Sequence, residues 1–143
     1  MPLVTINVWQ GLPENQIDQI QQATHTCLVK AWGIPDNGGY YLINERPQSR
    51  MRIDRTMWGI ERSNQPPILL QITSSPRSAE MKTSFYKLLA GEFARLGFRP
   101  EDLFISITPS NPEDWSFGNG IAQLLDGALS LIHISEPTRP RII

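Results

Sequence analysis

The stretch ILLQITSSPRSAEMKTSFYKLLAGEFARLGFRPEDLFISIT, residues 68–108, decides the fold that this sequence predicts. It opens with ILLQITS and closes with LFISIT, two segments with the length and composition of strands. Between them, apolar residues recur at helical spacing until Gly97, a typical helix end. These apolar positions are Met81, Phe85, Leu88, Leu89, Phe93 and Leu96. The segment is therefore predicted to form a β-α-β unit.

The first half of the chain follows the same plan. PLVTINVW (residues 2–9) alternates as a strand does, a helix follows and ends at Gly33, and YYLIN (residues 40–44) is a second strand. The apolar face of that helix comprises Ile17, Ile20, Thr24, Cys27, Leu28 and Ala31. Equivalent positions of the two halves lie about 65 residues apart, which indicates a duplication in pattern rather than in identity.

The duplicated β-α-β plan predicts an α/β (α+β) fold. Right-handed crossovers make the strands within each half parallel, so a four-stranded mixed sheet with two helices on one face is expected. We predict a single domain over residues 1–129, with halves of about 2–65 and 66–129. The polar connector between the halves (residues 46–67) suggests a hairpin around Met51 to Ile60. The connectors are candidates for subunit contacts, because so small a sheet leaves one face uncovered.

Composition excludes several classes of function. The 143 residues carry 13 basic and 14 acidic side chains, a balance that argues against a nucleic-acid partner. One cysteine, Cys27, excludes an internal disulfide, and the two histidines, His25 and His133, are too few for a zinc site, so no metal or cofactor is predicted. No apolar run approaches the roughly 18 residues of a spanning helix. We therefore expect a cytoplasmic protein with no membrane partner.

Pro2 is the candidate catalytic residue. Initiator methionine is normally removed before a small residue, which would leave Pro2 with a free secondary amine. A free α-amino group has a pKa near 8, and burial or a neighbouring cation lowers that pKa toward neutrality, where the amine acts as a general base. Many proteins begin Met-Pro without any catalytic role, so the dipeptide alone does not decide the function.

Arg77 is the candidate substrate anchor. It lies in SSPRS (residues 74–78), between the strand and the helix of the second half, where a guanidinium and helix N–H groups together favour a carboxylate. The alternative is a solvated arginine near a helix start. If the two halves pair through antiparallel first strands, the equal lengths of residues 2–8 and 68–74 place Pro2 beside residues 74–77. A base and a carboxylate anchor would then share one pocket.

Three motifs resemble the tautomerase superfamily, in particular its malonate semialdehyde decarboxylase-like branch. They are IERSN (residues 60–64), PRS followed by EMK and FYKLL (within residues 76–89), and EDWSFG (residues 113–118). The resemblance runs from Pro2 to about Leu129 and implies a homotrimeric, cofactor-independent enzyme. In such an enzyme Pro2 would be the catalytic amine, Arg77 would hold the carboxylate of a small substrate, and an apolar wall would face them. By this resemblance the wall comprises Trp115, Phe117 and Leu129.

The sequence departs from that branch at two positions. Ser75, itself a candidate substrate-binding residue, stands where the branch has a second arginine, and Gly38 stands where it has an acidic residue. These departures favour a keto–enol tautomerase, an isomerase acting on a 2-oxo acid or enol acid. Malonate semialdehyde decarboxylation or hydration is the first alternative, and an inactive trimeric binding scaffold is the second. The tail, residues 130–143, matches nothing in the family and is interpreted as a segment of doubtful origin. It is expected to be disordered, and no functional residue is assigned there.

Overall fold

The computed structural model describes residues 1–125 and contains the predicted duplication. The first half comprises β1 (Leu3–Trp9), α1 (Glu14–Trp32) and β2 (Tyr40–Arg46). The second half comprises β3 (Ile68–Ser74), α2 (Ala79–Leu96) and β4 (Leu103–Pro109). Leu129 and the tail lie outside the described residues. Within residues 1–125, no helix combines the length and apolar character needed to cross a membrane.

The two halves form one four-stranded sheet in the order β2-β1-β3-β4. The strands of each half are parallel, whereas β1 and β3 are antiparallel, with Leu3 opposite Thr73. Continuing this register by one residue brings Pro2 opposite Ser74. The halves therefore pair through antiparallel first strands, the arrangement under which equal strand lengths place Pro2 beside residues 74–77.

Both helices pack on the same face of the sheet and contact each other. Val4 and Ile6 of β1 and Ile72 of β3 are buried beneath them, so the alternation of these strands is that of a half-covered sheet. The buried stripe of α2 consists of Phe85, Leu89 and Phe93. Leu88, predicted on the same stripe, lies at its margin and is 38% exposed. An i, i+4 stripe explains this, because residue 88 points about 100° away from residue 89.

Each helix ends at the predicted glycine. Gly33 after α1 and Gly97 after α2 have φ values of 69° and 93°, the left-handed conformation that only glycine adopts without strain. At the other end of α2, the Ser78 hydroxyl accepts a hydrogen bond from the Met81 N–H at 3.1 Å. This cap fixes the start of α2 two residues after Arg77.

The hairpin predicted around Met51 to Ile60 is wrong. In place of strands, the connector contains two 3-10 turns, Gln48–Arg50 and Met57–Gly59. The Asp54 carboxylate accepts backbone N–H groups two and three residues ahead, and Trp58 adopts a left-handed φ of 63°. Such side-chain bonds to the local backbone compete with a strand ladder.

Candidate active site

Most of the predicted site residues lie at one edge of the sheet, the edge formed by the starts of β1 and β2 and the ends of β3 and β4. Since β1 and β2 begin where β3 and β4 end, Leu3 pairs with both Tyr40 and Thr73, and Thr73 pairs with Thr108. Pro2, the turn after β3 and the segment after β4 therefore meet at this edge. Strand direction alone positions them.

Pro2 is fully buried at this edge. Met1 precedes it in the structure, so the Pro2 nitrogen lies in a peptide bond and is not basic. The Met1 side chain packs against Gly38 so closely that a β-carbon at Gly38 would collide with its terminal methyl group. The place where an acidic side chain would stand at position 38 is thus the place that the methionine fills.

Arg77 is half-buried and held between the two halves of the chain. Its Nε donates to the Ser74 Oγ at 3.2 Å, and its Nη1 lies 3.5 Å from the Trp32 carbonyl oxygen. The guanidinium carbon is 5.0 Å from the centre of the Trp32 ring, within the range of a cation–π interaction. Arg77 is therefore not the solvated arginine of the alternative interpretation. Ser75, directly after β3, is also half-buried.

Trp115 and Phe117 form an aromatic stack on the helix-free face of the sheet. Their ring centres are 5.4 Å apart, and Phe117 also stacks on Tyr40 at 5.7 Å. A pocket of about 430 Å³ lies here, large enough for a small organic acid. Its lining comprises Leu3, Tyr40, Thr73, Ser110, Asp114, Trp115, Ser116 and Phe117.

The structure brings the predicted residues together as two adjacent groups. Pro2 and Arg77 do not line the aromatic pocket; by strand alternation, Pro2 and Ser74 point to the helix-covered side of the same edge. Two hydrogen bonds join the groups. The Ser110 N–H donates to the Ser74 carbonyl at 2.8 Å, and the Trp115 Nε1 donates to the Ser110 Oγ at 2.8 Å. Leu129, the third predicted wall residue, lies outside the described residues.

Sequence reasoning missed two further features of this edge. Tyr40 extends the aromatic wall from the start of β2, although its sequence context indicated only a strand residue. His25 of α1 holds the segment before β2: its Nε2 donates to the Asp36 carbonyl at 2.7 Å, and its Nδ1 lies 2.5 Å from the Tyr41 hydroxyl oxygen. Burial raises the pKa of Tyr41 well above its usual value of about 10, so this phenol stays a neutral donor.

The sequence matches a family model and known relatives. A family model described as "Tautomerase enzyme" matches residues 38–118. A protein of Bacillus subtilis strain 168 called "probable tautomerase YrdN" is 33% identical over 130 residues, which cover 90% of this chain and all of that protein.

Two solved structures share both fold and sequence with the chain. A malonate semialdehyde decarboxylase, reported with decarboxylase and hydratase activities, is 35% identical with a TM-score of 0.81, over 87% of this chain and 97% of that one. The FG41 malonate semialdehyde decarboxylase, inhibited by 3-bromopropiolate, is 27% identical with a TM-score of 0.80, over 87% and 95% of the two chains.

Proposed function

This chain belongs to the tautomerase family, and from that premise we propose that it converts a small 2-oxo acid to its enol and back, with Pro2 as the base. One observation carries the proposal. Ser74 accepts a hydrogen bond from Arg77, and the β1–β3 register, continued by one residue, places Pro2 opposite the same serine.

The proposed reaction starts from the processed chain, in which Met1 has been removed. Burial and the nearby Arg77 guanidinium both disfavour an ammonium at Pro2, so the amine is neutral near neutral pH and accepts the α-proton of the substrate. The enolate oxygen then takes a proton back from the prolinium, and the enol leaves. Atoms and charge balance without any other reactant. Arg77 holds the substrate carboxylate throughout.

Decarboxylation is the second candidate, because a malonate semialdehyde decarboxylase is 35% identical to this chain. That reaction asks for strong polarisation of a 3-oxo carbonyl while the carboxylate is lost as CO₂. Ser75 supplies a hydroxyl where a second guanidinium would assist this step. The same Pro2 amine and Arg77 anchor would serve both reactions.

The proposal is tested with phenylpyruvate and with 3-bromopropiolate. Intact mass first establishes that Met1 is absent from the purified protein. The wild-type protein is expected to accelerate enol–keto conversion of phenylpyruvate, and 3-bromopropiolate, which inhibits a relative, is expected to add covalently to the Pro2 nitrogen. Peptide mapping locates the adduct. An adduct elsewhere, together with undiminished turnover, would remove Pro2 from the mechanism.

Arg77→Ala is expected to raise KM for phenylpyruvate by about 10- to 100-fold, with a smaller fall in kcat. A charge-assisted hydrogen bond to the carboxylate acts in the ground state and in the transition state alike, so its loss appears mainly in KM. Arg77→Lys should recover only part of the loss, since an ammonium lacks the planar fork. Steady-state kinetics check this, and unchanged kinetics would show that the carboxylate is held elsewhere.

We also propose that the protein is a homotrimer. The helix-free face of the sheet and its outer strand β2 expose apolar side chains, among them Leu42 at 55% and Phe104 at 42%. Apolar surface of this kind on one sheet is typical of a subunit interface. Light scattering is expected to give three times the mass of the chain. A monomer at micromolar concentration would contradict the proposal.

A further inference from the structure

Trp32 lies between the two halves of the chain, where it is buried and also makes directed contacts with the second half. It is the last residue of α1, and its side chain is 5% exposed. The indole Nε1 donates to the Met81 carbonyl of α2 at 3.1 Å, and the ring centre lies 5.4 Å from that of Phe85. Two contacts to the second half therefore fix the orientation of the ring.

The Arg77 guanidinium packs over the face of this ring. Its guanidinium carbon is 5.0 Å from the ring centre, and its Nε donates to the Ser74 hydroxyl. Ser74 has no exposed surface, and its carbonyl oxygen also accepts the Ser110 N–H. The flat face of the indole and the serine hydroxyl thus meet the guanidinium from two directions.

We propose that Trp32 and Ser74 are positioning residues that hold the Arg77 guanidinium in the orientation that binds a substrate carboxylate. The inference rests on the proposed function, because it takes Arg77 as the carboxylate anchor. A free arginine side chain samples many rotamers, and a carboxylate that binds it must first select one of them. The indole face and the Ser74 hydroxyl restrict this choice before substrate arrives, which strengthens binding by preorganisation.

Ser74 has a second consequence for the geometry of the site. By continuation of the β1–β3 register it lies opposite Pro2, so the hydroxyl that orients the anchor belongs to the residue opposite the base. The position of Ser74 relative to Pro2 is then set by strand register.

The experiment compares phenylpyruvate, which carries a carboxylate, with its neutral methyl ester. The variants are Trp32→Leu and Ser74→Ala, with Trp58→Leu as the matched control, because Trp58 is 87% exposed on the connector. Both kcat/KM and the dissociation constant are measured for each compound, so the binding comparison stands even if turnover is weak. Circular dichroism establishes that each variant is folded.

The acid-to-ester ratio of affinities is expected to fall about tenfold in Trp32→Leu and about threefold in Ser74→Ala, and to stay constant in Trp58→Leu. Trp32→Phe keeps an aromatic face and should recover most of the loss in the acid-to-ester ratio. It also serves as the second test of Trp32 if Trp32→Leu does not fold. A merely structural role would weaken both compounds equally.

Two outcomes overturn the inference, and they are distinguishable. If Arg77→Ala lowers the acid-to-ester ratio but the folded Trp32 and Ser74 variants do not, Arg77 remains the carboxylate anchor and the positioning role of Trp32 and Ser74 is rejected. If Arg77→Ala itself leaves the ratio unchanged, the anchor assigned under the proposed function is wrong and the positioning role falls with it.

Discussion

Inserting one alanine between Met1 and Pro2 is expected to lower kcat/KM for phenylpyruvate tautomerisation by about 10²- to 10⁴-fold, the usual contribution of a positioned general base. Processing of this variant leaves an alanine in front of the proline. The proline nitrogen is then part of a peptide bond, whose resonance removes its basicity. The new terminal amine lies roughly 3.5 Å further along the chain, out of reach of the α-proton.

Substrate affinity separates this effect from general damage. The insertion leaves the hydrogen bond from Arg77 to Ser74 unchanged. The added alanine stands where Met1 packs, so the dissociation constant for phenylpyruvate should rise, but by far less than kcat falls. Pro2→Ala is the companion variant, because it keeps a free amine but loses the buried ring. Its loss of activity is expected to be smaller than that of the insertion. Full activity in the inserted protein would rule out an amino-terminal base.

The structure also bears on which form of the chain is active. Met1 packs against Gly38, and its presence both acylates Pro2 and fills the adjacent space. Removal of Met1 would therefore leave Pro2 with a free amine and open room beside it at the same time. A glycine at position 38 is compatible with both states, whereas any side chain there would compete with Met1 for this space.

The fold was largely predictable because its signals are local. Alternation in β1 and β3, the helical stripe of α2 and the glycines after both helices each report on a few neighbouring residues. The register between the halves followed from two strands of equal length. The connector was not predictable from the sequence. Its shape depends on backbone N–H groups that donate to the Asp54 carboxylate and on the left-handed backbone conformation of Trp58.

The site was predictable only in part, for a related reason. Pro2 and Arg77 were predicted as site residues from their residue types and positions, and β-strand direction brings their segments together. Trp32 and Arg77 are 45 residues apart, and a tryptophan at a helix end indicates only a core residue until the contact is seen. Tyr40 joined the aromatic wall in the same way, through a stack across the sheet edge.

Ser75 should decide which reaction dominates. Wild-type protein is expected to tautomerise phenylpyruvate with a higher kcat/KM than it decarboxylates malonate semialdehyde. Loss of CO₂ from a 3-oxo acid leaves an electron pair that the neighbouring carbonyl must accept, so cationic donors near that oxygen stabilise the transition state strongly. Enolisation of a 2-oxo acid asks less, since one base and one donor suffice.

Ser75→Arg is therefore expected to raise the ratio of decarboxylation to tautomerisation by about 10²-fold, the usual contribution of one electrostatic donor. The substitution places a second guanidinium two residues before Arg77, at a half-buried position directly after β3. Ser75→Gln is the matched control, because it adds length and a polar group without charge. Acetaldehyde and CO₂ released from malonate semialdehyde are measured beside enol–keto conversion of phenylpyruvate. An equal change in the glutamine variant would assign the effect to size, and a wild-type protein that already decarboxylates faster than it tautomerises would make decarboxylation its principal activity.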